Sequence, residues 1–183
     1  MLLLNKDSLK LDLFEYVDES FGSLPLQEFK YKRWDWAWET VPSSVADLMT
    51  LMFDRMPKDD SMRWLVDYKV RDLKAGDCGC ALEGWHLDVT ENPNHKSKPD
   101  THLIYSTEVG TDFLTQPMYV DSSDTHFSQV IAPFDLGKLE AKVVQAKPNT
   151  VSMYNRFQMH RGPRILKDCR RMLLRITATE VIR

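Results

Sequence analysis

The sequence predicts a mainly β fold, a sandwich or jelly roll of many short strands backed by a helix near the N-terminus. Three observations carry this. Apolar residues alternate with period two through most of the chain, segments rich in Gly, Pro, Asn and Asp separate the alternating runs, and the clearest helical spacing is confined to one stretch. At 183 residues the chain has the size of one compact domain able to bury a site. Residues 1 to about 60 are expected to support a β core running from about 61 to 183.

The elements follow in order. Met1 to Leu4 are apolar, but Asn5, Lys6 and Asp7 follow at once, too soon for a signal segment or a membrane span, so a cytoplasmic protein is expected. Trp34, Trp36 and Trp38 fall on one face of an expected strand, where large aromatics fit a core better than a stacking platform for bases or sugars. A helix is expected to start near Ser43 and Ser44. Ser44 and Asp47 have capping-box spacing there, Val45, Leu48, Met49, Met52 and Phe53 form one apolar stripe, and Pro57 closes the run. Trp64, Val66, Tyr68 and Val70 share a face of the next strand. Further strands are expected over Thr101–Thr107, Leu139–Gln145, Val151–Phe157 and Met172–Val181.

Composition narrows the function classes. Hydrophobic residues at 43% and charged residues at 28% are those of a folded globular chain, and no repeat or low-complexity tract suggests a solenoid or a linker. Three cysteines, Cys78, Cys80 and Cys169, do not describe a disulfide framework. Cys78-Gly79-Cys80 is too closely spaced for a structural zinc site and is read as a turn. The net charge of −3 gives no general attraction to nucleic acid. From Arg156 to Arg183, however, eight Lys/Arg face only Asp168 and Glu180, so the C-terminal end is locally basic.

The chemistry concentrates in two places. In Trp85-His86-Leu87-Asp88 the histidine and the aspartate are two apart, which on an extended chain puts both on one face, roughly 6–7 Å apart at the backbone. Downstream, the run Tyr154 to Pro163 carries His160. Two imidazoles and a carboxylate are the facial triad of non-haem iron(II), which leaves three coordination positions for a bidentate 2-oxo acid and dioxygen. Eleven residues beyond His160 stands Arg171, and four further Arg175. With period two, Arg171, Leu173, Arg175 and Thr177 share one strand face while Arg170, Met172, Leu174 and Ile176 share the other. A guanidinium grips a carboxylate through two parallel charge-assisted hydrogen bonds, so an arginine here could hold the distal carboxylate of 2-oxoglutarate. The plainer alternative is an edge strand whose exposed arginines discourage pairing with another chain.

Through His86-X-Asp88, His160, Arg171 and Arg175 the chain resembles the 2-oxoglutarate/iron(II) dioxygenase superfamily, and the arginine spacing looks most like its taurine-dioxygenase-like branch. The resemblance runs from about Trp64 to Ile182 and takes in Thr101-His102-Leu103-Ile104-Tyr105 and Gly110-Thr111-Asp112-Phe113. It implies a double-stranded β-helix, or jelly roll, with supporting N-terminal helices, and a hydroxylation coupled to release of succinate and carbon dioxide. The length and the 73 residues between His86 and His160 depart from the taurine enzymes, so their substrate does not carry over.

In this reading His86, Asp88 and His160 hold Fe(II), and Arg171 takes the cosubstrate's distal carboxylate with Arg175 supporting it or meeting an acidic substrate group. Tyr105 or Thr107 is expected to hydrogen-bond the cosubstrate, and Asn155 to face the metal. His95, His102 and His126 are expected to be surface or hydrogen-bonded side chains. The substrate is a small molecule, nucleotide or peptide, with an anionic one permitted; neither a membrane nor nucleic acid is indicated, and the oligomeric state is not legible. Three rivals remain open: a cupin-type metalloenzyme without 2-oxoglutarate, a metal-free jelly-roll module binding through the tryptophans, and an oxygenase scaffold kept for interaction alone.

Overall fold

The computed structural model describes residues 2–80, 84–88, 98–120 and 142–180. Its strands are β1 (Leu2–Leu4), β2 (Leu9–Glu15), β3 (Gln27–Arg33), β4 (Met62–Leu73), β5 (Thr101–Ser106), β6 (Asp112–Leu114), β7 (Met118–Val120), β8 (Val143–Gln145), β9 (Thr150–Asn155), β10 (His160–Arg161) and β11 (Cys169–Glu180). Two helices, α1 (Trp34–Thr40) and α2 (Ser43–Arg55), lie between β3 and β4. The larger sheet is antiparallel with order β2-β9-β5-β11-β4-β3, and a smaller one has order β10-β6-β8. A reciprocal backbone bridge between His86 and His160 lays the segment 84–88 along β10. The chain is therefore mainly β, a sandwich of antiparallel sheets with helices on one side. Among the described residues no helix is long and apolar enough to cross a membrane.

Strand parity divides the large sheet into two faces. Val66, Tyr68 and Val70 of β4 and Met172, Leu174 and Ile176 of β11 point to one side, where they pack with Val45, Leu48, Met49 and Met52 of α2 in the main core. The other face looks toward the small sheet. There Ile104 and Tyr154 meet Phe113 and Ala146 in a second cluster, with Arg171, Leu173, Arg175 and Thr177 on the same side. Gly110 enters β6 so close to the neighbouring segment that a Cβ would fall inside the Ala146 carbonyl, so this crossing requires glycine.

Two local expectations are corrected. Trp34, Trp36 and Trp38 lie on helix α1, not on a strand. Ala37 and Val41, four apart, are buried in the core, and partly buried Trp34 packs against it beside Phe53, while Trp36 and Trp38 remain exposed. Helical periodicity in a short segment was masked by tryptophans that happen to alternate. In α2 the capping box does not form. The helix begins after extended Pro42, whose carbonyl accepts from the Val45 and Ala46 amides, and Ser44 bonds Ser20 instead. The remaining strands fall close to their expected places, except that only Val143–Gln145 of Leu139–Gln145 is seen as strand; residues 139–141, like His95, His126 and Val181, lie outside the described residues.

Candidate active site

His86 and Asp88 follow one another on the same side of the 84–88 segment, and β10 brings His160 beside them. The bridge is formed by the His86 amide donating to the His160 carbonyl at 2.9 Å and the reverse bond at 3.1 Å. The two imidazole centroids are 4.4 Å apart. One ligand atom from each of His86, Asp88 and His160 lies within 4.8 Å of the others. A single cation with bonds of about 2 Å could draw such a set together with small side-chain adjustments.

Ring orientation supports the same reading. Nδ1 of His86 is 3.0 Å from the Gly84 carbonyl, and Nδ1 of His160 is 3.1 Å from the Gln158 carbonyl. A carbonyl only accepts, so Nδ1 carries the proton in both rings and Nε2 is left as the ligand nitrogen. Gln158 is itself fixed: it is buried, donates to the Leu114 carbonyl at 2.8 Å and accepts from Ser8 at 2.7 Å, while Asn5 receives the Met159 amide at 2.8 Å. The N-terminal segment thus sets the orientation of a ligand more than 150 residues away.

Asp88 is held on one oxygen. Its Oδ2 accepts from the Tyr154 hydroxyl at 2.6 Å, faces His160 Nε2 at 3.1 Å and is paired with Arg175 Nη1. Oδ1 has no such partner among the described residues and is the oxygen a cation would take. Burial pushes the Asp88 carboxyl up, but the Arg175 and His160 charges outweigh it and hold the group well below the usual carboxylate range. Burial would depress His86, yet hydrogen bonds with Cys80 and the Gly84 carbonyl, with Asp88 nearby, leave it above the ordinary histidine value. Tyr154 is stacked on His102 at 4.8 Å, and its hydroxyl is pushed well up by burial and by Asp88.

The two arginines of β11 differ. Arg175 lies between Asp67, which accepts its Nε at 2.9 Å, and Asp88. Its guanidinium is thereby satisfied, so it orients the carboxylate of the triad and is not free for a second acid. Arg171 is 3% exposed and meets neutral partners: Nε donates to Ser106 at 3.2 Å and to the Val109 carbonyl at 3.0 Å, and Nη1 to the Gly79 carbonyl at 2.8 Å. Nη2 is buried with no hydrogen-bond partner among the described residues. Burial lowers the Arg171 pKa to about 10, the mark of a cation lacking a counter-charge.

His86, Asp88, His160, Arg171 and Arg175 all line one cleft of about 110 Å³, whose apolar wall includes Ile104 and Leu173. No protein-family model matches the chain, and no curated protein does. Among solved structures, two of EvdO2 from Micromonospora carbonacea var. aurantiaca are similar. One aligns at 12% identity with a TM-score of 0.44, and the other, complexed with 2-oxoglutarate, at 11% and 0.42; each alignment covers 86% of this chain and 70% of that chain. A likeness of this size carries no assignment of its own.

Three expected site residues are not brought to the cleft. Tyr105 pairs with Leu174 and turns to the helix side, where its hydroxyl donates to the Tyr16 carbonyl at 2.9 Å. Thr107 caps the β5–β11 ladder, its Oγ1 accepting the Met172 amide at 3.0 Å. Asn155 follows Val151 and Met153 in parity and accepts the Phe157 amide at 2.9 Å. In each case the neighbour one residue away turns to the cleft side of the sheet instead, Ser106 accepting from Arg171 and Tyr154 donating to Asp88. His102 is wholly buried and bonds Thr177 through Nδ1 at 2.9 Å, the hydrogen-bonded alternative rather than the surface one. Asp67, Tyr154 and Gln158 were missed. Alternation alone would have found Asp67, which lies between Val66 and Tyr68 and so points toward the arginines.

Cys78-Gly79-Cys80 is a seam. It runs against Gly162-Pro163-Arg164 through a Cys78–Arg164 bridge and a Gly79 amide bond to the Pro163 carbonyl at 2.8 Å, closing the cleft over Arg171.

Proposed function

We propose that this chain is an Fe(II)- and 2-oxoglutarate-dependent oxygenase on a jelly-roll scaffold, with the whole chain as one domain. The observation that carries the reading is the pairing, within one cleft, of a His/Asp/His donor set with a deeply buried arginine that meets no carboxylate among the described residues. The donor chemistry suits iron(II): two imidazoles whose Nδ1 protons are held by backbone carbonyls, so that Nε2 can ligate, and one carboxylate, leaving open positions. Alternation between sheets supports the jelly roll, since β4, the 84–88 segment, β5, β6, β8, β9, β10 and β11 fall in large, small, large, small, small, large, small and large sheets. The eleven-residue spacing from His160 to Arg171 also resembles that of the taurine-dioxygenase-like branch.

His86, Asp88 and His160 would hold the iron, and Arg171 would receive the distal carboxylate of 2-oxoglutarate through Nη2. When bound, the iron with its keto acid supplies activation of dioxygen, in a reaction that consumes substrate, 2-oxoglutarate and O2 and returns hydroxylated substrate, succinate and CO2. The protein positions the groups. Arg175 and Tyr154 fix Asp88 and keep it anionic, Gly84 and Gln158 fix the imidazoles, and Ile104 and Leu173 keep water from one wall.

The test is production of succinate from 2-oxoglutarate by purified protein, requiring iron(II) and oxygen. Wild type should form it and His160→Ala should not. Metal-dependent stabilisation without any succinate, even over long incubation, would leave a metalloprotein of another kind.

A further inference from the structure

Resting on that reading, we infer that Lys69, assisted by Lys30, forms an anion subsite for the substrate, which is accordingly a small carboxylate or tetrahedral oxyanion, or enters the cleft by a terminal group of that kind. Five cations line the cleft: Lys30, Lys69, Arg161, Arg171 and Arg175. Arg175 is neutralised by Asp67 and Asp88, and Arg161 by Asp112 at 3.0 Å. Arg171 is assigned to the cosubstrate, whose other carboxylate belongs with its keto group at the metal. Lys69 and Lys30 remain, and Lys30 has Glu28 at 3.9 Å.

On β4, Lys69 faces the small sheet with Asp67, opposite Leu173 on one side and Glu28 on the other. Glu28 does not neutralise it, because Arg71 takes that carboxylate through Nε at 3.0 Å, and Lys30 stands 3.9 Å from it. Lys69 thus has no carboxylate within ion-pair distance among the described residues. It is half-buried, and both that burial and the adjacent Lys30 disfavour its charge, lowering its pKa. A desolvated ammonium beside a second lysine is relieved by an entering anion.

The experiment uses full-length protein under anaerobic conditions with iron(II) and saturating 2-oxoglutarate, whose visible charge-transfer band reports the cosubstrate independently. Propionate and sulfate are titrated in separate arms by calorimetry, representing a carboxylate and a tetrahedral oxyanion. One of them should bind saturably to wild type. Binding should weaken about tenfold or more in Lys69→Met, which keeps the side-chain stem, and less in Lys30→Ala, with the 2-oxoglutarate affinity unchanged in both. Saturable binding that ignores Lys69→Met, or no binding of either anion, overturns the subsite while the band leaves the oxygenase reading standing. A tenfold loss of 2-oxoglutarate affinity in Lys69→Met also overturns it, by giving Lys69 to the cosubstrate. Absence of the band in wild type defeats the oxygenase reading and this inference with it.

Discussion

Arg171 and Arg175 stand four residues apart on one face of β11, and their surroundings give them different work. Arg175 is a structural cation between two carboxylates. Replacing it with Met leaves Asp67 and Asp88 facing each other unneutralised, and metal-free protein should lose about 3–5 kcal/mol of stability in chemical denaturation. Added iron(II) should restore part of this by supplying positive charge at Asp88. The ligands also set a pH dependence. A metal requires neutral imidazole, and the His86 pKa is raised above its ordinary 6.5, so protons compete with the cation at higher pH than for a free histidine. Asp88, held far below the carboxylate range, stays ionised throughout. Metal affinity measured by calorimetry should therefore still be climbing above pH 6.5, and a profile already flat there would contradict the assignment of His86.

Elements convert these residues into a site. Alternation on β11 was readable because Met172, Leu174 and Ile176 make one face apolar toward α2 while Arg171, Arg175 and Thr177 make the other mainly polar, and the residue-by-residue expectation for Arg171 to Thr177 matches the structure. The same rule failed for Tyr105 and Asn155 because the starting parity of β5 and β9 was not fixed: both faces of those strands carry hydroxyls and apolar groups. It failed for Trp34 to Trp38 because seven residues hold too few turns to separate a period of two from one of 3.6. Long-range contacts such as Asn5 and Ser8 on the His160 segment leave no local signal at all. The seam at Gly79 is a further element-level device. A Cβ there would lie 2.8 Å from Arg171 Nη1 and 2.9 Å from Pro163 Cδ. Gly79→Ala should displace the guanidinium and weaken 2-oxoglutarate binding about tenfold or more, while metal affinity, set on the 84–88 segment and β10, changes little. Equal losses of both would show that the seam supports the whole cleft.

At the scale of the molecule, the helices and the site occupy opposite faces of one sheet. The helix side, with Leu48, Met49, Tyr68 and Leu174 fully buried, supplies the apolar mass that holds the strands in register. The other face is thereby free to carry Asp67, Arg171 and Arg175, charges that a two-sided apolar sheet could not accept. In the cleft between the sheets, closed at one end by the glycine seam, Arg171 is held ordered by neutral partners and meets no carboxylate among the described residues. The most direct test mixes purified protein anaerobically with iron(II), adds 2-oxoglutarate and records the visible spectrum for wild type, His86→Ala and Arg171→Met. A charge-transfer band is expected in wild type, none in His86→Ala, and in Arg171→Met a band that needs about a hundredfold more 2-oxoglutarate. A band of equal strength at equal concentration in Arg171→Met, or no band in wild type, would contradict this reading of the cleft.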